Sequence, residues 1–284
     1  MSGALSNPPA EGTRTESPDC YFAIDGARLR YRDEGTGPGV LFVHGWTLDL
    51  EMWAPQVAAL QDSFRVVRLD RRGFGRSTGE PSIERDAEDI VALVGFLELG
   101  HVALVGMSQG VRPVLAAGRN LAERVACLVL DGPPDVTRPA ASLVNDGPLN
   151  RYAMLAQTKG LDAFRREWCA HPLMQLRTGG DGARALLASM IARYPGRDLL
   201  AAPRPATAPP LSAPPDLPTA PTLVVCGAHD LPARVAIARD LARRLPRGEL
   251  ALVDDAGHLP NLDSPDTYNH LVRAFLSRHA GTQT

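Results

Sequence analysis

Gly106-Met107-Ser108-Gln109-Gly110 sets a serine between two glycines, directly after the apolar run VALV and directly before a stretch of helical composition. A sharp turn from strand to helix crowds the backbone of its middle residue, and glycines on either side relieve that crowding. The Ser108 hydroxyl would then stand above a sheet, at a helix N-terminus whose dipole favours developing negative charge. A serine in this place can also do no more than cap the helix. The two readings part on whether the chain supplies a base for the hydroxyl and an acid to orient that base.

Two later segments supply them. TLVVCG is followed by Ala228-His229-Asp230, and ELALV by Asp254-Asp255-Ala256-Gly257-His258. Both candidates emerge at carboxyl ends of strands, where an open α/β sheet forms its crevice. His258 is the expected general base, and Asp230 the acid that holds its tautomer. Asp131, after ACLVL, is the alternative acid on a neighbouring loop. His229 would leave the later AGH unexplained and reads as a loop residue. Asp254 and Asp255 are too near His258 in sequence to reach its ring, and suit a turn. Acyl transfer also needs donors for an oxyanion. His44-Gly45-Trp46-Thr47, after VLFV, offers the backbone N–H of Trp46, and the residue after the serine offers that of Gln109. Met107, Val111 and Trp168 are the candidate substrate-pocket residues. The Arg71–Ser77 run RRGFGRS reads as a structural turn beside this site rather than an anion cradle.

The elements that must position these groups follow from patterning. YFAIDGARLRYRDEG alternates apolar and polar residues around Asp25-Gly26, a hairpin signal. PGVLFVHG is a continuous apolar run ending in glycine, as a strand buried on both faces requires. Helices are predicted near residues 51–61 and 83–99, from 109, and near 233–245 and 265–279. They alternate with strands FRVVRLD, VALVG, ACLVLDG, TLVVCG and ELALV, an order that calls for a mostly parallel sheet with helices on both faces. Between residues 133 and 200 the period turns helical without a buried strand. Eight prolines then fall between residues 203 and 221, a composition that excludes helix and favours an extended connector. The expected organisation is a tail over 1–20, a discontinuous core over 21–132 and 222–280, and a helical cap with its Pro-rich return over 133–221.

Composition sets the outer bounds. The 284 residues carry 30 basic and 32 acidic side chains, a net charge of -2, with 44% hydrophobic residues. That balance gives no overall electrostatic reason to expect nucleic acid or an anionic membrane as partner. No stretch approaches the roughly 18 apolar residues of a membrane span. All the basic residues but Lys159 are arginines, a bias read as coding preference rather than function. Cys20, Cys127, Cys169 and Cys226 are far apart, without C-x-x-C or zinc-like spacing, so neither a disulfide framework nor a metal site is expected. The N-terminal segment has neither a basic region nor an apolar core of a signal sequence, which makes the cytoplasm the expected location.

HGWTLDLEMWAPQ, RLDRRGFGRS, VALVGMSQG, TLVVCGAHD and AGHLPNLDSP, five motifs in order, together resemble the α/β-hydrolase superfamily over residues 21–279. The order Ser108, Asp230, His258 is the one that family uses. The stretch from MWAPQ to GFGRS is similar to bacterial carboxylesterases and enol-lactonases. The resemblance implies an eight-stranded sheet with a helical cap and cleavage of a small-molecule ester or lactone through an acyl-enzyme, with no cofactor. Carbon–carbon-bond hydrolases and cofactor-free perhydrolases share these motifs, and a silent relative holding a small ligand is the non-enzymatic alternative. One departure is Val111, where the family usually has a further glycine. The other is the Pro-rich return.

Overall fold

The computed structural model describes residues 17–137, 148–201 and 217–281. The first 16 residues of the expected tail and most of the proline tract lie outside them. Eight strands form one sheet: β1 (Cys20–Ile24), β2 (Ala27–Glu34), β3 (Gly39–Val43), β4 (Arg65–Leu69), β5 (Val102–Met107), β6 (Val125–Asp131), β7 (Thr222–Gly227) and β8 (Gly248–Val253). Their order is β1-β2-β4-β3-β5-β6-β7-β8. β1 and β2 join antiparallel, and the rest of the sheet from β4 to β8 is parallel. Asp25 and Gly26 turn the hairpin with both φ angles positive, as a two-residue turn between right-twisted strands demands.

The period-2 alternation of the strands divides the core into two layers. Phe42, Val105, Met107, Val129 and Val225 face one side, where they pack with α1 (Ala54–Leu60) and α8 (Pro265–His279). Leu41, Leu104, Leu128, Leu130 and Val224 face the other, against α2 (Ile83–Phe96), α3 (Val111–Leu121) and α7 (Pro232–Arg244). Ser82 caps α2 by accepting the Arg85 N–H, while α7 and α8 begin at prolines whose missing N–H costs nothing there. Between β6 and β7 lie α4 (Pro148–Lys159), α5 (Leu161–Cys169), α6 (Asp181–Arg193) and a helical turn at Arg197–Leu200. Their buried side chains, among them Tyr152, Phe164, Trp168 and Ile191, join the first layer. No described helix is long and apolar enough to cross a membrane.

The hairpin departs from its polar-out pattern. Arg30 and Arg32 on β2 are buried, and Asp19, which the sequence reading assigns to the tail, reaches both. A buried guanidinium needs counter-charges, and Asp19 and Glu51 provide them for both arginines.

The ends of β7 and β8 meet backbone to backbone. A side chain at Gly227 would drive into the carbonyl oxygens of Gly257 and Ala256. This contact holds the loop after β7 against the loop after β8, the two that carry Asp230 and His258. Gly227→Ala should therefore lower stability by at least about 2 kcal/mol, visible as a fall in Tm, where an ordinary buried Gly→Ala change would be milder.

Candidate active site

Ser108 follows β5 at the head of a 3-10 turn, Ser108–Gly110, that leads straight into α3. Its φ is +49°, a left-handed conformation that L-residues avoid. The neighbours explain how the chain tolerates it. A Cβ on Gly106 would lie 2.7 Å from the Gly110 carbonyl oxygen, and one on Gly110 would lie 2.5 Å from the carbonyl oxygen of His44. Both glycines are places where backbone crosses backbone, so neither position admits a side chain.

The three candidate groups meet in one line. Ser108 Oγ lies 3.1 Å from His258 Nε2, and His258 Nδ1 lies 2.6 Å from Asp230 Oδ2. The other Asp230 oxygen accepts the Leu231 N–H at 2.6 Å. All three residues are buried. Burial pushes the His258 imidazole below its usual pKa, against the opposing pull of the Asp230 carboxylate, which favours the neutral ring that a base must present.

Asp131, the alternative acid, sits one strand away at the end of β6, where Gly132 abuts the His258 ring. It is fully buried beside the Tyr268 hydroxyl, and neither carboxylate oxygen makes a hydrogen bond to His258. Burial, reinforced by the charge of Asp230, lifts its pKa well above the usual carboxylate range. Asp230 is the carboxylate in hydrogen-bond contact with the imidazole, and Asp131 makes no such bond, so the geometry separates the two acids. His229, Asp254 and Asp255 are exposed loop residues, as their sequence context suggests.

Trp46 lies on the loop after β3, pressed against the serine turn: a Cβ on Gly45 would sit 2.6 Å from Met107 Sδ and 3.4 Å from Ser108 Cβ. His44 anchors that loop. Its Nδ1 is 2.7 Å from the Gly45 carbonyl oxygen and its Nε2 accepts the Arg71 N–H at 2.9 Å. Burial, with the nearby Arg71 charge, lowers its pKa to about 3, so this imidazole is a neutral structural group. Gln109 follows Ser108, and its side-chain oxygen accepts from Arg71 Nη1 at 2.8 Å. Arg71 pairs in turn with Asp86, and Arg72 with Asp89. The RRGFGRS run is thus a structural turn, as expected.

The pocket candidates divide. Met107 lies in the layer shared with the inserted helices, and Trp168 stacks on His171 and meets the Trp46 ring edge-on at 4.8 Å. Val111 does not join them. It is fully buried in the opposite layer with Leu41, Val43 and Val114, because the first full turn of α3 points that position into the sheet. The expectation that Val111 is a pocket residue beside Met107 and Trp168 is therefore corrected.

Several supporting residues escaped the sequence reading. Asp263 accepts the backbone N–H of Gly257 at 2.7 Å, just before His258, and those of Arg177, Thr178 and Gly179 from the insertion. It lies inside the AGHLPNLDSP motif, but nothing local marks it as a clamp. Arg193 of α6 grips Asp49 through two bonds of 2.6 and 2.9 Å. Among the described residues no group of His, Cys, Asp and Glu could hold a metal ion. A cleft of about 830 Å³ opens at the amino ends of β3, β5 and β6, beside Gly39, His101, Val125 and Arg247, and none of the candidate residues lines it.

Comparison with known proteins agrees with this fold. A family model described as alpha/beta hydrolase fold matches residues 38–265. A putative carbamate hydrolase RutD of Caulobacter sp. (strain K31) is 30% identical over 236 residues, 80% of this chain and 86% of that protein. A putative non-heme chloroperoxidase of Synechocystis sp. is 28% identical over 281 residues, 87% of this chain and 94% of that protein. The solved structure of a thermophilic esterase from Thermogutta terrifontis, with malate bound, superposes with a TM-score of 0.73 at 27% identity, covering 92% of this chain and 99% of that one. The chain belongs to the α/β-hydrolase fold family.

Proposed function

We propose that this protein is a serine hydrolase that cleaves small carboxylic esters or lactones through an acyl-enzyme. The observation that carries the reading is the unbroken run from Ser108 Oγ through both nitrogens of His258 to Asp230, at 3.1 and 2.6 Å. In this scheme Ser108 Oγ attacks the ester carbonyl while His258 Nε2 takes its proton, and Asp230 stabilises the imidazolium that forms. The backbone N–H groups of Trp46 and Gln109 hold the oxyanion. His258 returns the proton to the departing alcohol. It then takes one from water, which attacks the acyl group and frees the acid. The buried aromatic residues of the inserted helices supply an apolar cover that excludes bulk water. Likeness to an esterase at 27% identity supports the same chemistry.

A second reading uses the same acyl-enzyme but lets hydrogen peroxide take the place of water, giving a peracid. Its support is the full-length similarity to a putative non-heme chloroperoxidase. Bromide oxidation in acetate with added peroxide, compared with ester turnover by the same preparation, separates the two.

The direct test is turnover of p-nitrophenyl acetate and butyrate. Ser108→Ala should lower kcat by at least about 10⁴-fold with the fold intact, and Asp230→Asn by about 10³- to 10⁴-fold. Asp131→Asn should stay within about threefold of wild type, because the imidazole bonds Asp230 and not Asp131. No turnover by folded wild type across esters, lactones and peroxide would point instead to carbon–carbon cleavage or to a ligand-holding relative.

The pH profile has a defined sign. Activity needs neutral His258, whose pKa is lowered by burial, so kcat/KM should be full at neutral pH and fall with a midpoint below 6.5. Asp230→Asn removes the group that opposes this shift and should move the midpoint lower still. A midpoint above 6.5 in the wild type would contradict the assignment of His258 as the base.

A further inference from the structure

The loop that carries Trp46 is tied to the inserted helices through its side chains. Trp46 Nε1 donates to Asp198 Oδ2 at 2.6 Å, and the other Asp198 oxygen accepts from the Tyr194 hydroxyl. The next residue, Thr47, has φ +65°, an unfavourable conformation for a β-branched side chain. Its Oγ1 accepts from Trp168 Nε1 at 2.7 Å. Two consecutive loop residues therefore each share an indole hydrogen bond with the segment between β6 and β7, in opposite directions. Asp198 is itself held in place. Its helical turn starts after Gly196 at φ +64°, Gln157 Nε2 donates to the Leu199 carbonyl at 2.9 Å, and Arg197 Nη1 donates to the Gly79 carbonyl at 3.3 Å. The Trp46 ring is walled by Trp168, Phe164, Tyr152 and Tyr194, with centroids 4.8 to 6.3 Å away.

We propose that Asp198 is a positioning residue for the oxyanion hole: by fixing the Trp46 indole it sets the direction of the Trp46 backbone N–H. The inference rests on the reading of Trp46 as an oxyanion donor. Only two side-chain torsions separate the indole from its own backbone, and the first is confined to staggered wells. A ring fixed by its faces and by its one N–H leaves that amide little freedom to turn. An oxyanion donor acts within about 3 Å, so a small drift of the loop is felt in the transition state more than in ground-state binding. The carboxylate serves two donors at once and makes charge-assisted bonds with both. The helices over the site thereby become part of the catalytic geometry as well as its cover.

The test compares Asp198→Ala, Asp198→Asn, Trp46→Phe and the Asp198→Ala/Trp46→Phe double variant on p-nitrophenyl butyrate. Reactive Ser108 is counted by titration with a fluorophosphonate. Asp198→Ala should lower kcat per titrated site by about tenfold with KM within about twofold, and weaken a trifluoromethyl ketone inhibitor by the same factor. Asp198→Asn should recover most of that loss, since its oxygen still accepts from Trp46 and its amide can donate to Tyr194. Trp46→Phe keeps the backbone N–H and loses the indole bond, so it should match Asp198→Ala, and the double variant should be no worse than either. Unchanged kcat per site in Asp198→Ala, or a loss confined to KM or to the number of titrated sites, would overturn the inference while ester hydrolysis stands. Wild type that neither labels nor turns over esters would overturn both.

Discussion

Ser108 occupies a left-handed backbone conformation where its own turn and the loop after β3 are packed against each other. Gly106, Gly110 and Gly45 each mark a crossing where a Cβ would meet neighbouring atoms at 2.5 to 2.7 Å. Strain of this kind persists only where the surroundings over-determine it. Here the surroundings are the fully buried strands β3 and β5, paired in parallel, whose loops run side by side. With the serine held at that angle, the remaining groups need only arrive at its hydroxyl. The β7 and β8 loops, locked together at Gly227 and Gly257, deliver Asp230 and His258 as one unit.

A second constraint is electrostatic. Arg30, Arg68, Arg71 and Arg72 are buried, each with at least one carboxylate at salt-bridge distance. Burying such charges is costly unless every hydrogen bond is met, and the planar guanidinium meets carboxylates in pairs where an ammonium would not. Asp70 lies at the centre of this region, accepting from the backbone of Leu50 and Arg76 and from Arg30. Burial and the charge of Asp49 push its pKa up to about 7, with Arg30 pulling the other way. Asp49 in turn is gripped by Arg193, so this ion-pair region and the inserted helices share an anchor. Part of the arginine excess that looked like composition alone thus has a structural use.

Much of the site was legible because its signals are local. A glycine–serine–glycine turn between a strand and a helix declares itself within five residues, and His258 follows its strand by the same logic. The choice between Asp230 and Asp131 was not local. Asp131 ends β6 and Asp230 follows β7 by three residues, and the two strands are direct neighbours, with Asp131 paired to Val225. Only the hydrogen bond to His258, made by Asp230 and not by the buried Asp131, distinguishes them. Val111 misled for a related reason: its nearness to Ser108 in sequence conceals that one helical step turns it to the other face of the sheet.

The sequence by itself determined the alternation of strands and helices, the strand-end placement of Ser108, His258 and Asp230, and the family to which they point. These depend on periodicity and on turn residues, which act over a few positions. Tertiary structure decided which acid faces the imidazole, which arginines are buried, and which residues of the insertion reach the Trp46 loop. Asp198 stands 152 residues from Trp46 along the chain. No local pattern can encode that contact, because it exists only once the helices between β6 and β7 have packed over the ends of the strands.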